Sequence, residues 1–240
     1  FEKKTKGIAS SIAKGFKERI GHKLLDGLKG AVRDIPQLIN TAVTTASDLN
    51  EEISKSEVIF GKSAGSIRDF AQTTIESLGL SELATMRATG QFGTLFKTMG
   101  MLPKKAADMS KEMTKLAADL GSFHNTTTED AIGAIGAALR GESEPIRRYG
   151  VLLNEATLKA EAFEQGIYDG KGALDPATKA LASYSLILKQ TGDAQGDFAR
   201  TSDGLAGQKK ILAARFEELT VAVGEAFLPV IKDAVTLLNE

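Results

Sequence analysis

The chain of 240 residues contains no cysteine and no tryptophan, and only 6% of its residues are aromatic. Without cysteine there can be no disulfide framework, no thiolate metal site and no thiol nucleophile. The two histidines, His22 and His124, form no i, i+4 pair, so a zinc hydrolase lacks its usual ligands. We therefore expect neither a metal ion nor a cofactor.

The chain also has no excess of one charge, because its 30 Lys and Arg residues nearly balance its 31 Asp and Glu residues. The net charge is −1. The chain thus lacks the basic field of most nucleic-acid-binding proteins, and we expect no sequence-specific nucleic acid partner. No run of ~18 uncharged apolar residues is present, so we expect no transmembrane helix. Since the chain starts at Phe1 and stops within an apparent helix at Glu240, we expect a fragment of a longer polypeptide.

What the sequence does contain is helical periodicity. Apolar residues recur at spacings of three and four over residues 35–53, 102–120 and 212–238, which draws an apolar stripe along one face of each helix. No run alternates between apolar and polar residues as a strand does. The sequence predicts an all-α fold, a multi-helix bundle of about eight helices with long N- and C-terminal helices. Pro229 lies inside the last stripe and predicts a kink there.

Capping residues predict where several of these helices begin and end. Ser81, Thr127 and Asp175 are N-caps of the helices that follow them, Pro103 opens another helix, and Ser63 caps a helix over residues 64–78. Glycines that follow periodic runs predict helix ends; they are Gly79, Gly100, Gly121, Gly141 and Gly150.

The first 34 residues differ in composition from the rest, with nine Lys or Arg against four acidic residues. Apolar residues recur there every four positions, in a stripe that winds slowly around a helix. This stripe is a candidate face for a membrane or for another copy of the chain; its members are Ile8, Ile12, Phe16, Ile20, Leu24, Leu28 and Val32. We divide the chain into a basic amphipathic helical segment (1–58), a compact helical bundle (59–207) and a long C-terminal helix (208–240).

One short pattern is similar to two catalytic motifs. Residues Gly61, Lys62 and Ser63 match the last three positions of a phosphate-binding loop. Ser56, however, occupies the position where that loop needs its first glycine. The same stretch, 61–65, spells the nucleophile elbow of serine hydrolases, which requires a preceding strand that the sequence does not predict. A glycine-bounded loop that begins a helix is the interpretation we favour.

A pair of close carboxylates, Glu142 and Glu144, is the other pattern with chemical meaning. Acid–base hydrolysis of glycosides needs one carboxyl group with a raised pKa. Arg147 and Arg148 follow directly and would lower the pKa of either carboxyl group. We therefore predict a structural turn and no enzyme, and a hydrolase that uses Ser63 or Glu142 is the third-ranked hypothesis.

A series of short motifs then occurs in a characteristic order. They occupy residues 58–61, 88–93, 116–123, 127–131, 139–151, 153–156, 183–191, 195–201 and 228–230. This series resembles the conserved helical region of phage tail tape-measure proteins, over residues 48–240. The strongest motif contains Arg140, Gly141, Glu142, Glu144, Pro145, Arg147, Arg148 and Gly150, and we expect a fixed turn there.

The resemblance implies a structural protein inside the tail tube or tail tip of a virion, assembled in the host cytoplasm. Such a protein sets tail-tube length, scaffolds tail assembly and is released to assist DNA ejection. A helix advances 1.5 Å per residue, so residue count converts to tube length. The implied partners are further copies of the chain, with a trimer favoured, the tail tube protein, distal tail or tail-tip hub proteins, and the host membrane on ejection. No catalytic residue is carried over.

Two points stay open at this stage. The first is where copies of the chain meet, and the heptad-like stripe over residues 102–120 is the expected seam. The second is an alternative function, a membrane-active effector or pore-forming protein that acts through the basic amphipathic N-terminus.

Overall fold

The structure of the protein, a computed structural model, describes residues 35–239. Over these residues the chain forms ten α-helices, three short 3-10 turns and no strand, so the predicted all-α fold is confirmed. Eight of the ten helices have at least eight residues. The helices are α1 (Ile35–Phe60), α2 (Ala64–Ala71), α3 (Thr74–Leu78), α4 (Glu82–Thr98), α5 (Pro103–Phe123), α6 (Thr128–Arg140), α7 (Glu155–Glu164), α8 (Pro176–Gln190), α9 (Asp197–Thr201) and α10 (Leu205–Asn239).

Three predicted N-caps are confirmed by side-chain hydrogen bonds. The Ser81 hydroxyl accepts from the backbone N–H of Ala84, and the Thr127 hydroxyl accepts from that of Asp130. Asp175 accepts from the first two free backbone amides of α8. Each bond satisfies a donor that the first helical turn leaves without an intrahelical partner.

The predicted helix end at Gly121 is wrong. Helix α5 continues to Phe123, and the left-handed conformation that follows it belongs to Asn125, with a φ of 52°. Gly121 instead allows a close approach, because a Cβ atom there would lie 3.1 Å from the carbonyl oxygen of Thr127. The glycine therefore packs two helices together rather than ending one.

The single helix predicted over residues 64–78 is also wrong, since it is divided into α2 and α3. The hydroxyls of Thr73 and Thr74 donate to backbone carbonyls three residues earlier. Such local bonds compete with the helical ladder. Ser63 precedes α2, but its backbone is helical and its side chain makes no capping bond.

Helix α5 contributes its predicted apolar stripe to the core. Met109, Met113, Leu116 and Leu120 are all buried, whereas Leu102 at the start of the stripe is exposed. Helices α4 and α6 both pack against α5. The stripe over residues 102–120, the expected seam between copies, is therefore covered by neighbouring helices of the same chain. Only its first residue is accessible to another copy.

Helix α1 packs on α4 and on α10. A Cβ atom at Gly93 would overlap the ring of Phe60, and one at Gly224 would overlap the backbone carbonyl of Ala42. Both glycines thus allow helices to approach more closely than any other residue permits. The described part of the 1–58 segment shares the core of the central helices through Leu49, and the division of the chain at 58 and 208 stays a prediction.

Several predictions fall on residues outside the described range. The whole apolar stripe between Ile8 and Val32 lies there, as does the basic segment that carries it. Between residues 35 and 239, no helix has the length and apolarity needed to cross a membrane. Pro229 lies inside α10, which continues to Asn239.

Candidate functional site

The motif at residues 140–150 forms a turn that follows α6. Gly141 ends that helix with a φ of +100°, and Gly150 ends the next turn with a φ of +78°. Between them a 3-10 turn occupies Pro145–Tyr149. The positive φ angles explain why both positions are glycine, because any residue with a side chain is strained in this conformation.

Two residues that we did not single out from the sequence anchor this turn. Ile146 is fully buried, and the buried Tyr149 is linked through its hydroxyl to that of Thr126 at 3.1 Å. The ring of His124 contacts the Tyr149 ring edge to face, with 5.3 Å between centroids. The turn is thereby fixed to the C-terminal end of α5. The apolar spacing of three between Ile146 and Tyr149 was the available signal.

The charged residues of the motif pair locally and lie on the surface. Arg140 binds Glu142 with 3.3 Å between nitrogen and oxygen, and Arg147 binds Glu144 at 2.8 Å. Exposed pairs of this kind contribute little to stability. The remaining member, Arg148, lies over the Tyr149 ring at 5.4 Å from its centroid. The motif thus offers an exposed charged rim above a buried anchor.

The residues proposed for hydrolysis are not brought into a common arrangement. Ser63 lies in the 3-10 turn Gly61–Ser63, and its carbonyl accepts from the Ser66 hydroxyl. His124 contacts Phe123 and Tyr149, and no hydrogen bond joins it to Ser63. Among the described residues no group of three or more acidic, histidine or cysteine side chains could hold a metal ion.

A buried carboxylate, which the sequence analysis missed, joins two other motifs. Asp119 is 7% exposed, and its oxygens accept from the backbone N–H groups of Gly196 at 2.8 Å and Phe198 at 3.1 Å. Burial raises the pKa of Asp119, although both backbone hydrogen bonds act to lower it. The hydroxyls of Ser122 and Thr201 add a contact at 3.0 Å. Motif 116–123 therefore holds motif 195–201 in place.

A second buried carboxylate joins α7 to α8. Glu161 accepts hydrogen bonds from Gln165 at 2.8 Å, Ser185 at 2.6 Å and Lys189 at 2.8 Å. Burial is the largest single influence and raises its pKa, but these bonds and the charge of Lys189 outweigh burial. The pKa of Glu161 therefore lies below its ordinary value. Two of the donors belong to motif 183–191.

The motifs at residues 58–61 and 88–93 also meet. Gly93 lies directly against the ring of Phe60. From the next turn of α4, the Lys97 ammonium donates to the carbonyl oxygen of Val58 at 2.8 Å. Two pairs of motifs that are separate in sequence are thus neighbours in space, 116–123 with 195–201 and 58–61 with 88–93.

Comparison of the chain with protein-family models, with curated proteins and with solved structures finds no match. The geometry described above and the motif resemblance are therefore the basis for assigning a function.

Proposed function

We propose that the chain is a structural phage tail tape-measure protein. In this role it sets tail-tube length, scaffolds tail assembly inside the tube lumen and is released to assist DNA ejection. The observation that carries the proposal is the pairing of the resembling motifs in space. The motif at 116–123 contacts the one at 195–201 through Asp119, and the motif at 88–93 contacts the one at 58–61 through Gly93.

This pairing favours a scaffold because the polar residues bind other parts of the same chain. Asp119 and Glu161 satisfy donors on neighbouring helices, and four of the five charges of the 140–150 turn form local ion pairs. A scaffold acts through its length and its surface, so it needs no reacting group, cofactor or metal. The proposed partners are copies of the chain, the tail tube protein and tail-tip proteins, within the virion.

An amber codon in the phage gene tests this proposal. We would place it at Gln91, in the middle of α4, and examine lysates by electron microscopy. The expected result is a loss of normal tails in a non-suppressing host and their return in a suppressing host. Mass spectrometry of the restored particles should find peptides from residues 35–239. Normal tails in the non-suppressing host would contradict the proposal.

The alternative is a membrane-active protein that acts through its N-terminal segment. Its support is compositional, because residues 1–34 combine nine basic residues with a regular apolar spacing. The full chain should then bind vesicles that contain anionic lipid at low salt, and high salt should release it. Neutral vesicles are the control. No binding to anionic vesicles at low salt would remove this alternative.

A further inference from the structure

Helix α10 has apolar residues on two opposite faces. Its inner face packs on α1 and contains Ile211, Ala214, Val221 and Gly224, all buried. Residues two positions away point roughly 200° around the helix, onto its other side. The residues two positions before and after Ala214 and Val221 are also apolar. They are Leu212, Phe216, Leu219 and Val223.

This outer face is exposed. Leu205, Leu212, Phe216 and Leu219 are between 54% and 74% exposed, and Val230 is 43% exposed. With the half-buried Val223, these six residues define what we call the outer face of α10. Large apolar side chains that form a continuous exposed patch commonly mark a protein–protein interface.

The spacing along the outer face is that of a coiled coil. Three leucines lie seven residues apart, at 205, 212 and 219, and Phe216, Val223 and Val230 lie seven apart as well. The two rows interleave at steps of three and four, which is the a and d pattern of a heptad repeat. From Leu205 to Val230 the face extends about 38 Å along the helix. More than three heptads are therefore present.

The low charge beside the outer face permits an identical partner, because two copies of a charged flank would repel each other. The flanking e and g positions include the neutral residues Ala213, Thr220 and Ala222. Arg215, a charged flanking residue, is already held by Glu76 at 2.6 Å. Charges at these positions normally select or reject a partner helix. Two copies of this face therefore meet without like-charge repulsion along their flanks.

We propose that the outer face of α10 pairs with the same face of a second copy, as a parallel two-stranded coiled coil, in place of the trimer that the resemblance implies. Two of the four a positions are valine, Val223 and Val230, and three of the four d positions are leucine. β-branched residues at a with leucine at d favour two parallel strands, and Phe216 and Ala226 fill the remaining apolar positions.

In a parallel pair Lys209, at an a position near the start, lies opposite its copy, and this like-charge contact fixes the register at a cost in stability. The exposed Asp233 marks the end of the seam. The proposal rests on the proposed function for its biological role, since it assigns the surface through which copies of the scaffold associate.

The first test measures the mass of the purified chain in solution by light scattering. The expected mass is twice 25.4 kDa. The double variant Leu212→Glu/Leu219→Glu should fall to a monomer, because two charges on each helix would face each other in the seam. A matched control, Leu152→Glu/Phe163→Glu, alters two equally exposed apolar residues elsewhere and should keep the mass of a pair. Circular dichroism checks that each variant is folded.

A monomeric parent chain, or a seam variant with unchanged mass, would overturn this proposal. Because the chain has no cysteine, a single Val223→Cys substitution then tests the orientation. In a parallel pair the two thiols are opposite each other, and oxidation should link the chains. Leu152→Cys is the control and should stay unlinked, and absence of a link at residue 223 would contradict the parallel arrangement. These tests use purified protein, so their failure is distinguishable from a failure of the amber-codon test of the proposed function.

Discussion

Buried acidic residues are one place where individual side chains stabilise this fold. Asp119, Glu161 and Asp197 are all buried within the described part of the chain. Asp119 interrupts a run of apolar residues in α5, and that interruption was the sequence signal for its burial. Its partners, two backbone amides 77 and 79 residues later, could not be predicted because pairing across such a separation depends on tertiary packing.

Replacement of Asp119 by alanine should lower the free energy of unfolding by about 1–3 kcal/mol, because it leaves the N–H groups of Gly196 and Phe198 without their acceptor. Urea unfolding followed by circular dichroism measures the change. Asp108→Ala is the control, since that exposed carboxylate pairs only with surface lysines, and its midpoint should stay close to that of the parent. Equal midpoints for the two variants would contradict the structural role of Asp119.

Glu161 predicts a dependence of stability on pH. Its pKa lies below the ordinary value, so the native state favours the charged form. This contribution to stability is fully present above a pH of about 4.3, the ordinary pKa of a glutamate. It is lost as the pH falls through the lower pKa of the native state. Glu161→Gln should therefore be less stable than the parent at neutral pH, and the difference should shrink in acid.

The control for this pH series is Glu164→Gln. Glu164 also pairs with Lys189, at 3.4 Å, but its side chain is largely exposed. This variant should follow the parent at every pH, because exposed pairs contribute little. If the Glu161→Gln difference were independent of pH, the charged form would not be what the native state favours.

At the scale of elements, the sequence predicted most helix starts and most helix ends, including those at Gly79, Gly141 and Gly150. The caps at Ser81, Thr127 and Asp175 are local signals and were confirmed, because a cap depends only on residues within one turn. The end expected at Gly121 and the continuous helix over 64–78 were wrong. The backbone of Thr127 packs against Gly121 within a helix that continues, whereas the hydroxyls of Thr73 and Thr74 compete with the helical ladder over 64–78. Neither contact can be predicted from apolar spacing.

The contact between α1 and α10 should depend on a single glycine. Gly224→Ala would bring a methyl group against the backbone of Ala42, and we expect a loss of about 1–3 kcal/mol in the free energy of unfolding. The matched control is Gly133→Ala in α6, where nothing lies near the added atom. It should gain roughly 0.5–1 kcal/mol from helix propensity. Opposite signs for the two variants support close packing at residue 224, and the same sign would contradict it.

The 140–150 turn should depend on its buried anchor and not on its charges. Ile146→Ala removes a fully buried side chain and should cost about 2–5 kcal/mol in unfolding free energy. Arg147→Ala removes one partner of an exposed ion pair and should change stability by less than about 1 kcal/mol. Thermal unfolding of both variants decides the matter, and a larger loss for Arg147→Ala would reverse our interpretation of the motif.

At the scale of the whole molecule, periodicity predicted an all-α bundle but not which stripe would be buried. The predicted stripes over 102–120 and 212–238 both have helical spacing, yet the first lies in the core, whereas Leu212, Phe216 and Leu219 of the second are exposed. Spacing reports one apolar face on a helix and carries no information about the surface that covers it. The 140–150 turn was located from the sequence, whereas its anchors Ile146 and Tyr149 became evident only from burial.

The most direct test of the tape-measure proposal is the length of the tail. In-frame deletions and duplications would be made in the phage gene outside residues 35–239, so that the described helical core stays intact. Electron microscopy of the purified particles would then measure tail length against the number of residues changed. The proposal predicts a change of about 1.5 Å per residue, the rise of an α-helix. Particles that assemble with unchanged tail length would contradict it.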